Sequence, residues 1–206
     1  MKIKVCGLTD VREAEYLNQN HVDYAGMVLY FPKSKRNISP EKAKEIMGAL
    51  DDSIQKVAVV VSPSMEQIQE MEQMGFDFIQ IHGVLPVEYL EQIRIPVLKA
   101  FNVTDMDQYE IYHKCTGIAG YVFDAQTPGS GKAFDWSLVQ QIPRDEKLFI
   151  LAGGLHPGNV AKAIQNMNPD VVDVSSGVEY DDRPGKDPEK IKAFVCAARK
   201  DQNRRD

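Results

Sequence analysis

Apolar residues along this chain gather in short branched runs, each followed by a stretch in which they recur every three or four positions. The runs predict strands at Ile3–Cys6, Tyr24–Leu29, Lys56–Val61, Phe76–Ile81, Val97–Phe101, Gly120–Phe123, Leu148–Leu151 and Val171–Val174. They start about 24 residues apart on average. The intervening periodicity predicts helices at Asp10–Gln19, Pro40–Leu50, Ser64–Met74, Pro86–Ile93, Asp135–Gln141, Pro157–Met167 and Pro188–Ala198, with a weaker one at Thr104–Lys114. In the first of these, Asp10 is a candidate N-cap with Glu13 three residues on, and Val11, Ala14 and Leu17 share a face. Several of the others carry proline in the first turn, where its missing N–H costs nothing.

Strand–helix alternation repeated eight times implies a parallel sheet, and eight units close into a (β/α)8 TIM barrel, an α/β fold. An open doubly wound sheet would use five or six strands and leave two without a place. At 206 residues the chain is short for a barrel, whose usual length is about 250. That predicts one domain over residues 1–206, ending in a short polar tail at about 199–206.

Composition adds exclusions. The chain is 43% hydrophobic and 26% charged, with a formal net charge of −6, and its lysines and arginines form no dominant block. Neither nucleic acid nor a membrane is expected as a partner, and an anionic ligand would have to be held locally by backbone dipoles and a few placed cations. No apolar run approaches the length of a membrane span and the N-terminus has no signal-peptide pattern. Cys6, Cys115 and Cys196 read as free thiols in a reducing cytoplasm.

In a barrel the loops after each strand share one face, so strand-end residues distant in sequence meet over one pocket. Leu151-Ala152-Gly153-Gly154-Leu155 and Asp173-Val174-Ser175-Ser176-Gly177 end the last two strands in small residues. Either alone could be an ordinary turn; as a pair they suit a phosphate held by backbone N–H groups. Cys6 ends the first strand and is either a small core residue or a base, with Gly7 beside it allowing a ligand to approach. Asp124 ends the sixth strand and is either a helix cap or a general acid, and Asp135 as a nearer cap weakens the first reading. A thiol and a carboxylate on opposite sides of a pocket suit a proton-shuttling isomerisation. Arg36 lies in a basic loop after the second strand, either solvated or facing a substrate carboxylate, and His82 is an orienting group or a satisfied polar side chain. Pro128-Gly129-Ser130-Gly131-Lys132 lacks a P-loop ending and fits a lid. The remaining histidines, His21, His113 and His156, lack metal-ligand spacing, so no metal is expected.

Taken in order, Lys4-Val5-Cys6-Gly7-Leu8-Thr9, Phe31-Pro32-Lys33-Ser34-Lys35-Arg36, Ile79-Gln80-Ile81-His82-Gly83, Asp124 with Gly129-Ser130-Gly131 and Phe134-Asp135-Trp136, and the two late Gly/Ser segments running on to Val178-Glu179 closely resemble the phosphoribosylanthranilate isomerase family of tryptophan biosynthesis. The likeness spans residue 4 to about residue 190. It implies an Amadori rearrangement of a phosphorylated aminosugar without a cofactor, by a monomer or homodimer, with Cys6 as base, Asp124 as acid and Arg36 against the anthranilate. The phosphate would sit at Gly153, Gly154, Ser175, Ser176 and Gly177. Other phosphosugar barrels compete with this reading. A metal-dependent epimerase would want more His and Asp ligands at strand ends, and a synthase or aldolase a rim lysine, for which Lys99 is the nearest residue. A phosphate-binding module would need the glycines but not Cys6 with Asp124.

Overall fold

A computed structural model of the protein describes residues 1–102, 108–124, 142 and 144–200. Eight parallel strands close in sequence order into a barrel: β1 Lys2–Cys6, β2 Tyr24–Val28, β3 Gln55–Val61, β4 Phe78–His82, β5 Val97–Asn102, β6 Ile118–Asp124, β7 Leu148–Leu151 and β8 Val171–Val174. Each coincides with an expected strand within two residues or so. Outside lie α1 Arg12–Gln19, α2 Pro40–Ala49, α3 Met65–Met74, α4 Tyr109–Tyr112, α5 Val160–Met167 and α6 Pro188–Arg199.

The pleat sorts the strands into two cores. Val57, Val59, Leu98, Ala100, Val122, Ile150 and Val171 fill the barrel interior. The alternate residues, such as Ile3, Val5, Ala58, Val60, Ile79 and Val172, pack outward against helix stripes that include Ala43 and Ile46, Ile68 and Met71, and Ile191 and Phe194. Local chemistry fixes the helix starts. Ser64 and Gln67 form a reciprocal capping box on α3, Ser39 caps α2 ahead of Pro40, and Asp187 accepts from Glu189 and Lys190 N–H at the head of α6.

The bottom of the barrel, opposite the loops that follow the strands, carries a repeated device. Asp23, Asp77 and Asp170 each immediately precede an even-numbered strand. Each accepts, through one carboxylate oxygen, the N–H of a residue at the start of the preceding strand: Ile3 at 2.9 Å, Lys56 at 2.7 Å and Phe149 at 2.8 Å. In each case the aspartate N–H donates back to the same residue's carbonyl at 2.9–3.0 Å. The pairs β1–β2, β3–β4 and β7–β8 are therefore clasped reciprocally. At the fourth such position stands Gly117, and the β5–β6 ladder shifts register between Val97 and Leu98.

Several expected elements differ. Residues 86–93 form a single 3-10 turn at Val87–Tyr89 in place of a helix. None of that turn's residues is buried, and Leu85 anchors the segment instead, its carbonyl accepting from the Tyr112 hydroxyl at 2.8 Å. Asp10 does not cap α1. Its carboxylate holds the Arg12 backbone and guanidinium, while the N-cap residue is Val11, which is partly exposed and leaves Ala14 and Leu17 as the buried stripe. Glu13 turns inward, accepting from Thr9 and Asp10 N–H with one oxygen and from Lys186 N–H with the other. Arg199, expected to begin the polar tail, is the last residue of α6, and its guanidinium donates to the Asn20 and His21 carbonyls and pairs with Asp23. The expected helix Asp135–Gln141, the lid at Pro128–Lys132 and residues 201–206 lie outside the described residues, as do 104–107 of the expected helix Thr104–Lys114, whose described part contains α4. Among the described residues no helix is long and apolar enough to cross a membrane.

Candidate active site

The inward-facing positions at the strands' C-terminal ends bring Cys6, His82 and Asp124 to the barrel mouth. Cys6 continues the inward parity of Lys4, His82 that of Gln80, and Asp124 that of Val122, with Asp124 paired to Asn102 in the ladder. Gly26, opposite Cys6 on β2, makes room for the thiol: a Cβ there would lie 2.9 Å from Sγ. Burial pushes the Cys6 thiol up, against the pull of the Lys4 and Lys186 ammonium groups, so the thiol is the resting form at neutral pH.

His82 is neutral. Burial, followed by the nearby Lys4 and Lys99 charges, lowers its pKa to about 3. Its Nε2 lies 2.8 Å from Gln80 Nε2; with the amide nitrogen as donor, the ring proton resides on Nδ1. The imidazole can therefore orient a ligand by hydrogen bonding but is not a cation for it.

Arg36 reaches the mouth because the loop after β2 folds back on itself. Asn37 Oδ1 accepts from Phe31 N–H, Ser34 Oγ from Arg36 N–H, and Ile38 N–H rejoins the Val28 carbonyl. The arginine stem then lies across Gly7, where a Cβ would come 2.4 Å from Arg36 Cδ. Gly7, expected to admit a ligand, instead admits Arg36. Arg36 Nε donates to Glu179 Oε1 at 2.5 Å, and Nη2 is buried with no hydrogen-bond partner among the described residues.

Glu179, unassigned from sequence beyond its place in a motif, organises this side. It accepts from Arg36, from Lys35 Nζ at 2.7 Å and from Lys186 Nζ at 3.3 Å. Burial alone would raise its pKa, but the Arg36 hydrogen bond with Lys186 and Lys35 holds the carboxyl at about 2. Lys186 is 1% exposed and also donates to the Ser175 carbonyl at 3.1 Å.

The two Gly/Ser ends meet. Gly153 and Gly154 have φ of +82° and +66°, and a Cβ on Gly177 would lie 2.0 Å from the Leu155 carbonyl, so the loops after β7 and β8 pack in direct contact. Asn159 Nδ2 takes the Gly154 carbonyl at 2.9 Å, and Ser176–Val178 form one 3-10 turn. Ser175 is placed differently from the rest of its segment. Its hydroxyl donates to the Cys6 carbonyl at 2.9 Å, stitching β8 to β1.

Similarity to known proteins agrees with this geometry. The family model for N-(5'-phosphoribosyl)anthranilate (PRA) isomerase matches residues 3–197. An N-(5'-phosphoribosyl)anthranilate isomerase of Streptococcus gordonii is 40% identical over 199 residues, covering 94% of this chain and 95% of that protein. The phosphoribosyl anthranilate isomerase of Thermotoga maritima superposes with a TM-score of 0.85 at 37% identity, covering 97% of this chain and 99% of that one. A phosphoribosyl anthranilate isomerase in complex with reduced 1-(o-carboxyphenylamino)-1-deoxyribulose 5-phosphate superposes with a TM-score of 0.83 at 35% identity, with 97% and 99% coverage.

Proposed function

The chain belongs to the N-(5'-phosphoribosyl)anthranilate isomerase family of tryptophan biosynthesis, and from that premise we propose that its barrel mouth performs the family's Amadori rearrangement with Cys6 as general base and Asp124 as general acid. The substrate is N-(5'-phosphoribosyl)anthranilate and the product 1-(2-carboxyphenylamino)-1-deoxyribulose 5-phosphate. The observation that carries the assignment of the site is the buried Arg36 Nη2, on an arginine whose stem lies over Gly7, without a partner among the described residues. A desolvated guanidinium donor left unmade costs about 1–3 kcal/mol or more, and a substrate carboxylate is the planar anion that satisfies it.

The phosphate sits where the β7 and β8 loops meet, held by backbone N–H groups of Gly153, Gly154, Ser176 and Gly177. With both anionic ends of the substrate fixed, Asp124 in its protonated form donates to the furanose ring oxygen. The C1–O bond breaks as the anilino nitrogen lone pair forms the C1=N bond of a protonated Schiff base. Cys6 as thiolate removes the C2 proton, and the C–H electron pair moves to give the enolamine. Loss of the C2 hydroxyl proton and protonation at C1 then produce the ketone. Neutral His82 orients the sugar by hydrogen bonding.

Loss of phosphoribosylanthranilate fluorescence measures this activity directly in purified protein. Cys6→Ser and Asp124→Asn should each retain binding of the reduced product analogue while kcat falls by about 10²–10⁴-fold. Turnover comparable to the parent protein in either variant removes that residue from the mechanism.

A further inference from the structure

Beneath the mouth the barrel interior holds an ion pair. Lys4 and Asp173 are direct ladder neighbours on β1 and β8, and Lys4 Nζ lies 2.8 Å from Asp173 Oδ2. Lys4 is 0% exposed and Asp173 6%. Buried pairs of this kind are commonly no more stabilising than apolar residues of the same volume, so stability is a weak reason for one at the centre of a barrel. Lys4 stands two residues before Cys6 on the same strand, which places both side chains on the inward face about 7 Å apart at their origins. From there the Lys4 ammonium and the Cys6 thiol act on each other.

We propose that Lys4, held in place by Asp173, is the positioning residue that supplies the counter-charge for Cys6 as a thiolate. The proposal rests on the reading of Cys6 as the base and adds how a buried thiol becomes one. Burial disfavours ionisation of Cys6, and the ammonium opposes that effect. Burial works against charge on Lys4, but Asp173 and Cys6 together offset it and hold the lysine's pKa above its ordinary value. The thiol proton leaves to solvent through the mouth, and Lys4 stays cationic throughout. Asp173 has two opposed effects: it fixes the ammonium, and its own negative charge works against the thiolate. Its Oδ1 has no hydrogen-bond partner among the described residues, so the carboxylate's one strong contact is with the lysine.

Among the charged groups around Cys6, Lys4 is the cation on the thiol's own strand, bound to Asp173 on β8. On the β8 side Lys186 also favours the thiolate, but its ammonium is shared among the Ser175 carbonyl, the Ser175 hydroxyl and Glu179. On β2 the facing residue is Gly26, which does not titrate. Arg36 lies over Gly7 with its Nε bound to Glu179. From β4, His82 faces Lys4 as a neutral ring, with Lys99 beyond it, and Asp124 stands at the mouth on β6.

The test uses the full chain carrying Cys115→Ser and Cys196→Ser, so that iodoacetamide reports on Cys6 alone, and follows the alkylation rate against pH without substrate. Adding Lys4→Met should move the midpoint of reactivity up by about one pH unit or more, slowing alkylation at neutral pH about tenfold. The ascending limb of kcat against pH should move with it. Should a lone buried charge prevent folding of a single variant, Lys4→Met/Asp173→Leu removes both charges together and should show the upward shift of Lys4→Met. A midpoint unchanged in Lys4→Met, or in the double variant, overturns the proposal whatever happens to Tm. A midpoint that moves while kcat keeps its pH profile supports Lys4 as the thiolate's counter-charge and overturns Cys6 as the base.

Discussion

Gly7 and Arg36 occupy one space: the glycine has φ +79°, and the arginine Cδ lies 2.4 Å from where a Cβ would stand. Gly7→Ala therefore forces the guanidinium off its seat and adds backbone strain of about 1 kcal/mol. Steady-state kinetics should show KM raised about 10- to 100-fold with kcat changed far less. An unchanged KM would mean that Arg36 does not meet the substrate from this position.

Glu179 anchors that same guanidinium, so Glu179→Gln should also raise KM. It has a separate signature in acid. The carboxyl's folded pKa of about 2 lies below its ordinary value of 4.5, so its contribution is complete above pH 4.5 and is lost as pH falls toward 2. The Tm difference between parent and variant, equivalent to up to about 3 kcal/mol, should be largest at neutral pH and shrink through that window. A difference independent of pH would assign the effect to packing.

His82 titrates in the opposite chemical sense over a higher window. Its folded pKa of about 3 lies below the ordinary 6.5, so unfolding takes up a proton once pH falls below 6.5. This residue should weaken the fold between pH 6.5 and 3, by up to about 1.4 kcal/mol per pH unit. His82→Asn should flatten the denaturant-midpoint profile between pH 6.5 and 5, where Glu179 is still fully ionised. An unchanged slope there would mean that the imidazole is not buried neutral.

Gly154→Asp places a like charge beside the substrate phosphate. Its φ of +66° is a conformation aspartate tolerates, so the fold should persist. Substrate affinity should fall about 30- to 1000-fold, equivalent to about 2–4 kcal/mol. Inorganic phosphate should compete with substrate in the parent and far less in the variant. Equal competition in both would place the phosphate elsewhere on the rim.

The fold was legible because branched runs at even spacing survive in any register, and all eight strands stand where the apolar pattern puts them. Residues 86–93 misled because helical spacing of apolar residues is not enough: the chain turns back toward β5 there and buries only Leu85. Within the site, residues at strand ends could be listed from sequence, since the barrel itself sends them to one face. The partnerships could not. Glu179 meets Arg36 across 143 positions, and Asp173 meets Lys4 across 169, pairings set by barrel closure. A signal for Lys4 did exist. A lysine two residues before Cys6, between the apolar Ile3 and Val5 of the same strand, must share the thiol's face, and therefore the interior.

The aspartate clasps beneath the barrel divide its labour by depth. They close strand pairs at the end remote from the mouth, so the β1–β2, β3–β4 and β7–β8 seams are pinned below whatever the loops do above. The β5–β6 seam, with Gly117 in the clasp position and a register shift at its base, lacks that pin and carries Asp124 at its top. Native-state hydrogen exchange should register the asymmetry, with the Ile3, Lys56 and Phe149 amides opening only on global unfolding and the lower β5–β6 amides through a cheaper, local excursion. The proposed acid thus rides on a seam without a clasp, and the proposed base on a clasped one.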